Sequence, residues 1–458
     1  MIEPRTRATA KNWTKTEVIP PLPKLGIQFQ DARLESSLKH LSPKRKTRNG
    51  SGVDSWYPYY AGFSFEFIMS ILPDLIKKDR SVILDQWNGS GTTTAAAYYL
   101  GHIALGFDLN PAVVPIANAK LVTADEMKSM PGFLESCLEA SRLSIRNGCQ
   151  IKSGALKYWM PPTAARFVRA SIEWLCDHDG VDAVQGLQPR TSLAALCILH
   201  GCRDFAVDQT KSNASWLSPN AHLPRLSIAS LIKAILGHAE RIIAGDSTCP
   251  ESDGSRCLVR VGDARRLPLP ESSVDLVLSS PPYCTRVDYA KQTGFELAAL
   301  LGLTEMESRE LRHNLMGTTT IRTALQTERF QFHISLPFGI SELLRSINLH
   351  QSHRSRTYYE PNIRQYFEDA ALAVREIARV LRPGGKALLV LQNSYYKEIE
   401  IQLSDNYCEL GNCVGLHSVI LARNPVRRAM TAINSRSRKY CNERNYTEDV
   451  VLFEKAKR

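Results

Sequence analysis

The chain has 458 residues, more than one compact core accommodates, so a main domain carrying insertions or a second domain is expected. Its formal charge of +11 suits a polyanionic partner. No stretch approaches the roughly 18 continuous apolar residues of a membrane span, and no apolar signal core opens the chain. Eleven cysteines, an odd count without Cys-x-x-Cys pairs, argue for reduced thiols over a disulfide framework. A cytoplasmic protein without a membrane partner is the expectation.

Residues 1–50 hold 11 Lys/Arg against 4 Asp/Glu and read as a basic arm, in which Lys44, Arg45 and Lys46 could track phosphates. Ser81-Val-Ile-Leu-Asp85 then has the length and apolar content of a buried parallel strand. Gln86-Trp87-Asn88-Gly89-Ser90-Gly91-Thr92-Thr93 supplies a tight glycine turn, and the alanine-rich stretch from Thr94 to Leu100 a helix packed closely on the sheet. A second apolar strand, Ile103 to Phe107, ends at Asp108-Leu109-Asn110, about 20 residues past the loop, the usual distance for a carboxylate that binds ribose hydroxyls. The unit predicts a nucleoside site. It has no Gly-x-Gly-x-x-Gly spacing for a pyrophosphate and no Lys after the glycines for a terminal phosphate, so a phosphate-free nucleoside such as S-adenosyl-L-methionine fits best.

Residues 121–256 read mostly as helix, with apolar periodicity at Phe167 to Leu175, Ser192 to Leu199 and Ile228 to Ile243. Cys197, His200 and Cys202, with Cys176 and His178 upstream, miss the usual zinc spacings and look like a buried helix face, so no metal is expected. Strands follow near 258–262 and 274–279. The latter ends at Ser280-Pro281-Pro282-Tyr283. Residues 304–362 mix arginines with hydroxyls and aromatic rings. A periodic helix from Ile363 to Leu381 is stopped by Arg382-Pro383-Gly384-Gly385, and strands near 386–392, 414–421 and 449–455 complete a seven-stranded sheet, the last two as a hairpin with one antiparallel strand.

Asp85 to Thr93 resembles the cofactor loop of amino-methyltransferases acting on DNA, commonly Asp-Pro-Phe-x-Gly-Ser-Gly-Thr-Thr. Gln86 and Trp87 depart from the common Pro and Phe, although Trp87 keeps the aromatic character. Tyr57-Pro58-Tyr59-Tyr60-Ala61-Gly62-Phe63-Ser64 is similar to the segment that closes over the methionine end of the cofactor in this family. Leu258-Val-Arg-Val-Gly262-Asp263-Ala264 is similar to the third strand, whose terminal acid contacts the adenine amine. The resemblance covers about 57–120, 257–303 and 364–455. It implies a Rossmann-like α/β methyltransferase domain formed by 51–120, 257–303 and 363–458, interrupted by a large helical insertion, 121–256, as candidate target-recognition region, and a smaller basic insertion, 304–362. It also implies double-stranded DNA as substrate and a cognate restriction endonuclease as partner. The cofactor residues it implies are Tyr57, Phe63, Ser64, Asp85, Trp87, Asn88, Gly89, Ser90, Gly91, Thr92, Asp108, Leu109, Asn110, Asp263 and Ala264.

The chemistry follows from the target, an exocyclic amine whose lone pair is delocalised into the base ring. Two hydrogen-bond acceptors on its N–H groups favour a pyramidal nitrogen with a localised lone pair. Ser280 supplies one and a carbonyl of the Pro281-Pro282 step the other, since prolines fix the chain without a competing N–H. Tyr283 offers a face on which an extruded base stacks. Cys284 does not directly follow a single proline, as the nucleophile of ring-carbon methyltransferases does, and reads as packing. In the family, Ser at the first position accompanies cytosine N4 methylation more often, and Asp accompanies adenine N6. Adenine N6, an RNA substrate and a catalytically silent DNA-binding scaffold stay open as alternatives. Candidate DNA contacts beyond the basic arm are Arg322, Arg354 and Arg356 of the second insertion, Arg427 and Arg428 of a basic loop, and Trp216, set in a polar loop as a backbone grip, a wedge or a core anchor.

Overall fold

The computed structural model describes residues 38, 43, 52–57, 59, 64–181, 186–210, 226–245, 249–250, 257–284, 288–322, 335–426 and 444–457. Its centre is a seven-stranded sheet. In chain order the strands are β1 (Val82–Asp85), β2 (Ile103–Asp108), β3 (Cys257–Val261), β4 (Val274–Ser279), β5 (Leu381–Gln392), β8 (Leu416–Pro425) and β9 (Thr447–Lys455). They lie in the order β3-β2-β1-β4-β5-β9-β8, with β9 antiparallel to both neighbours and the first five parallel. β6 (Ser394–Tyr396) and β7 (Ile399–Ile401) form a separate hairpin that sequence periodicity did not announce.

Alternation of buried side chains gives the sheet two apolar faces. Ile83, Leu276, Leu388 and Val450 point to one, where helix α1 (Phe65–Leu75) packs Phe67, Ile68, Ile71 and Leu72. Leu84, Val277, Leu389 and Val451 point to the other, against helix α12 (Glu360–Val380). The apolar residues Ile363, Phe367, Ala370, Val374 and Ile377 recur every three or four positions along α12 and form its sheet-facing stripe. α12 ends at Val380, within one residue of the expected stop. The correction is to the fifth strand, which begins at Leu381 rather than near 386, so that Arg382 to Gly385 belong to its start, where Leu381 pairs with Val274 and a register shift follows before the regular ladder resumes at Lys386.

Between β2 and β3 the chain forms helices α3 (Val113–Asn118), α4 (Ala124–Arg146), α5 (Pro162–Asp179), α6 (Pro189–Thr210) and α7 (Ile228–Gly245). α4 starts at a capping box in which Thr123 and Glu126 satisfy each other's backbone N–H groups. α4 to α7 bury an apolar core of their own, joined by Phe295, Leu297 and Ala298 of α9 (Gly294–Leu301), which follows the short α8 (Tyr289–Gln292). Arg203 of α6 forks onto Glu296 of α9 at 2.8 and 2.7 Å, with side chains only 3% and 0% exposed. Removing one partner of such a pair costs about 3–5 kcal/mol, because the other charge stays buried. The second departure from the sheet contains α10 (Glu305–Asn314) and α11 (Phe338–Leu349), and α13 (Leu403–Cys413) precedes β8. Among the described residues no helix is long and apolar enough to cross a membrane.

Candidate active site

The carboxyl ends of β1, β2, β3 and β4 meet around one cavity of about 990 Å³, part of it open to solvent. This is where ligands bind in open parallel sheets, beside the point at which strand order reverses. On one side, β1 delivers Asp85 and passes into Trp87, Asn88, Gly89, Ser90 and, at the start of helix α2 (Thr92–Tyr99), Thr92. Gly91 between them adopts φ +79°, and a Cβ there would come within 2.5 Å of Ala117 Cβ, so only glycine lets the loop pass α3. Asp85 Oδ1 accepts the Ser279 hydroxyl and, at 3.1 Å, the Trp87 N–H. Burial outweighs these bonds and raises its pKa to about 6.

Asp108, at the end of β2, accepts the Gly89 N–H at 2.9 Å and the Asn110 N–H at 2.8 Å, one on each oxygen. A carboxylate offers about four lone-pair positions, so acceptor capacity remains for two hydroxyls. Burial raises this carboxyl also to about 6. Leu109 and Asn110 line the wall beside it. Asp263 and Ala264, just past β3, line the next part of the wall, and both Asp263 oxygens are held by Arg265, at 2.9 and 2.7 Å.

On the other side stand Ser280, Pro281, Pro282 and Tyr283, which leave β4 into the same cavity. The Ser280 hydroxyl donates to the Val390 carbonyl of β5 at 3.0 Å. With its one proton committed, its oxygen faces any other partner as an acceptor. The Pro282 carbonyl accepts Tyr366 Oη of α12 at 2.9 Å, and Tyr407 Oη of α13 lies 3.3 Å from Tyr366 Oη. Tyr59, Gln86, Arg265, Tyr289, Asn314 and Met316 also line the cavity. None of these six was among the expected site residues. Tyr59 and Gln86 lay within the aromatic segment and the glycine loop recognised in the sequence, and the other four reach the site only through the fold.

Several expected residues sit elsewhere. Tyr57 is buried away from the cavity with its ring 5.8 Å from His200, and burial, with Glu296 beside it, raises its phenol well above the usual value; Tyr59 takes the lining position. Ser64 caps α1, accepting the Phe67 N–H at 3.3 Å, and does not line the cavity. Arg322 turns inward: its guanidinium pairs with Asp369 and is 6% exposed, so its charge is spent inside the protein. Arg354 and Arg356 are exposed on the turn before α12. Phe63, Lys44, Arg45, Lys46, Trp216, Arg427 and Arg428 lie outside the described residues. The Cys197 and Cys202 thiols are buried, which pushes both far above a normal thiol. His200, Asp204 and His238 bring ligand atoms within 4.8 Å of one another, and Arg241 bonds to both Asp204 and His238, already supplying a cation there.

The strand order, with one antiparallel strand next to the last and a glycine loop and acid at its carboxyl edge, defines a Rossmann-like α/β protein with the seven-stranded sheet of the methyltransferase type. Among curated relatives, the chain is 22% identical over 420 residues to the Type II methyltransferase M.BsoBI of Geobacillus stearothermophilus, covering 81% of each chain. It is 23% identical over 409 residues to the Type II methyltransferase M.AvaI of Nostoc sp. strain PCC 7120, covering 82% of each. No family model matches the chain. Among solved structures, the YcgJ protein of Bacillus subtilis aligns at 10% identity and a TM-score of 0.30, covering 86% of this chain and 100% of that one. The arsenic(III) S-adenosylmethionine methyltransferase CrArsM of Chlamydomonas reinhardtii aligns at 11% and 0.31, covering 93% and 74%. Structural likenesses this loose add nothing to the topology itself.

Proposed function

We propose that the protein is a DNA methyltransferase that moves a methyl group from S-adenosyl-L-methionine to an exocyclic base amine, with cytosine N4 as the preferred target. The observation that carries this is the shared cavity: a phosphate-free nucleoside cup and an amine-accepting turn open into the same space. The cup fits the cofactor. In this reading Asp108, with acceptor positions to spare, takes the ribose hydroxyls, Asp263 and Ala264 of the cavity wall take the adenine amine, and the buried Asp85 serves the methionine end. When bound, S-adenosyl-L-methionine supplies an electrophilic methyl on a sulfonium. The likeness to two Type II methyltransferases, over 81% and 82% of each chain, supports the same reaction class.

The residues of the turn divide the work on the nucleophile. Ser280 Oγ, its proton given to Val390, accepts one amine N–H. The second acceptor is a carbonyl of the Pro281-Pro282 step; the Pro282 carbonyl already accepts Tyr366, which leaves the Pro281 carbonyl the less committed of the two. Two accepted N–H bonds localise the nitrogen lone pair for in-line attack on the methyl carbon. A carbon–nitrogen bond forms as the carbon–sulfur bond breaks, the electron pair goes to sulfur, and the nitrogen sheds one proton to water. Tyr283 stacks on the extruded base. The exposed Arg354 and Arg356 and the basic arm supply phosphate contacts, the helical segment 121–256 is the candidate reader of sequence, and a restriction endonuclease is the candidate partner.

The test is to incubate the protein with tritiated cofactor and mixed-sequence duplex DNA, digest to nucleosides and identify the product by mass. N4-methyldeoxycytidine is the expected product. N6-methyldeoxyadenosine would reassign the base, and absence of any methylated nucleoside would remove the reaction.

A further inference from the structure

The chain beyond α10 crosses α12 as a strap, residues 315–322, whose backbone is pinned by side chains of α12 and of the turn before it. The carbonyls of Thr318, Thr319 and Thr320 accept Asn362 Nδ2 at 3.0 Å, Tyr358 Oη at 2.6 Å and Gln365 Nε2 at 3.2 Å. The Arg322 N–H donates to Gln365 Oε1 at 2.8 Å, and its guanidinium pairs with Asp369. Positions 358, 362, 365 and 369 advance by four, three and four residues, which puts them on one face of a helical path. The strap's near end is held too, because Arg265 donates to the Asn314 carbonyl at 2.8 Å.

What this pinning fixes is the wall of the cavity next to the Ser280–Tyr283 turn. Leu315 and Met316 line the cavity, and Gly317 presses on the turn itself. Gly317 has φ +72°, and a Cβ there would lie 2.7 Å from the Tyr283 carbonyl oxygen and 3.5 Å from Pro282 Cβ. The polar row adds to the apolar packing of α12 and holds the strap against the Ser280–Tyr283 turn.

We propose that the strap sets the size of the target-base pocket, with Met316 as the specificity-determining residue and Asn362 and Gln365 as positioning residues that hold it. This rests on the base-methylating reading above. Met316 closes the pocket beside the plane of the base. Asn362 and Gln365 act through the strap backbone and touch neither base nor cofactor.

The experiment compares wild type, Met316→Ala and the double variant Asn362→Ala/Gln365→Ala by kcat, by calorimetric affinity for S-adenosylhomocysteine, and by the ratio of methylated purine to methylated pyrimidine nucleosides from mixed-sequence duplex DNA. In Met316→Ala that ratio is expected to shift about tenfold toward the larger ring or, if the wild-type target is a purine, discrimination against the smaller one is expected to relax. The double variant is expected to lose about tenfold in kcat with S-adenosylhomocysteine affinity unchanged. Gln365→Glu, which keeps the acceptor for the Arg322 N–H but not the donor to Thr320, is expected to lose less kcat than Gln365→Ala, each in the otherwise wild-type chain. Wild-type methylation with both ratio and kcat unchanged in Met316→Ala would overturn the strap's role; absence of methylation by wild type would instead fail the underlying reading. Met316→Ala leaves no polar group unpaired, so it carries the test if the double variant does not fold.

Discussion

The two sides of the cavity are held together differently. On the cofactor side the two acids are held mainly by backbone N–H groups near them in the chain: Trp87 to Asp85 and Asn110 to Asp108 span two residues, and Gly89 to Asp108 spans 19, with Ser279 to Asp85, at 194, the long-range addition. On the base side they cross the molecule: Ser280 to Val390 spans 110 residues, Tyr366 to Pro282 84, and Asn362 to Thr318 44. A wall whose acids are held mostly by nearby backbone N–H groups depends less on distant packing than one closed by distant side chains, which inherits every shift of α12 and β5. Substitutions on the cofactor side should therefore change binding and those on the base side turnover.

The largest effect that can break this contrast lies at Ser280. Ser280→Ala removes an amine acceptor and should lower kcat by about 10²–10³-fold, the range seen when one preorganised polar contact to a reacting group is deleted. Calorimetry with S-adenosylhomocysteine should meanwhile give an unchanged affinity; a matching fall in both would erase the division between the two sides. Next comes Asp108→Ala. It removes a charged acceptor and should weaken cofactor binding on the order of 10–100-fold, at about 1.5–3 kcal/mol for a hydrogen bond to a charged group. At saturating cofactor, turnover should return.

The pH dependence sharpens the cofactor side further. Asp85 and Asp108 both titrate near 6 because burial disfavours their charged forms. Each accepts best when ionised, so cofactor affinity should be level above pH 7 and fall as pH drops through 6, by about tenfold per unit for each group. Isothermal titrations from pH 5 to 8 would show the step, and Asp108→Asn should reduce it. The smallest effect is expected from Tyr366→Phe, which frees the Pro282 carbonyl without opening a cavity. A neutral hydrogen bond is worth about 1 kcal/mol, so kcat should fall about fivefold with cofactor affinity unchanged.

The local and long-range halves also differ in how far the sequence discloses them. The loop from Asp85 to Thr92, Asp108 and the turn Ser280 to Tyr283 could be read directly, because each is a short run whose residue types answer one local demand, and all of them reach the cavity wall apart from Gly91, whose role is to let the loop turn. All seven sheet strands were placed to within a few residues, since buried strands are short apolar runs between turn signals. Tyr57 and Ser64 were misplaced because aromatic and hydroxyl residues before a helix serve core and cap as readily as a ligand. Arg322 looked like a phosphate contact because its buried partner, Asp369, lies 47 residues on. Met316 and the strap carry no local signature at all: a Met between Leu315 and Gly317 gains meaning only when Asn362, Tyr358 and Gln365 fold over the carbonyls of Thr318, Thr319 and Thr320.

Helix α12 gives its apolar stripe to the sheet, Tyr366 to the Ser280–Tyr283 turn and a polar row to the strap. Three neighbours thus lean on a single 21-residue element. Local opening of that helix cannot leave a working site behind, so loss of activity on heating should coincide with the cooperative melting of the sheet domain rather than precede it.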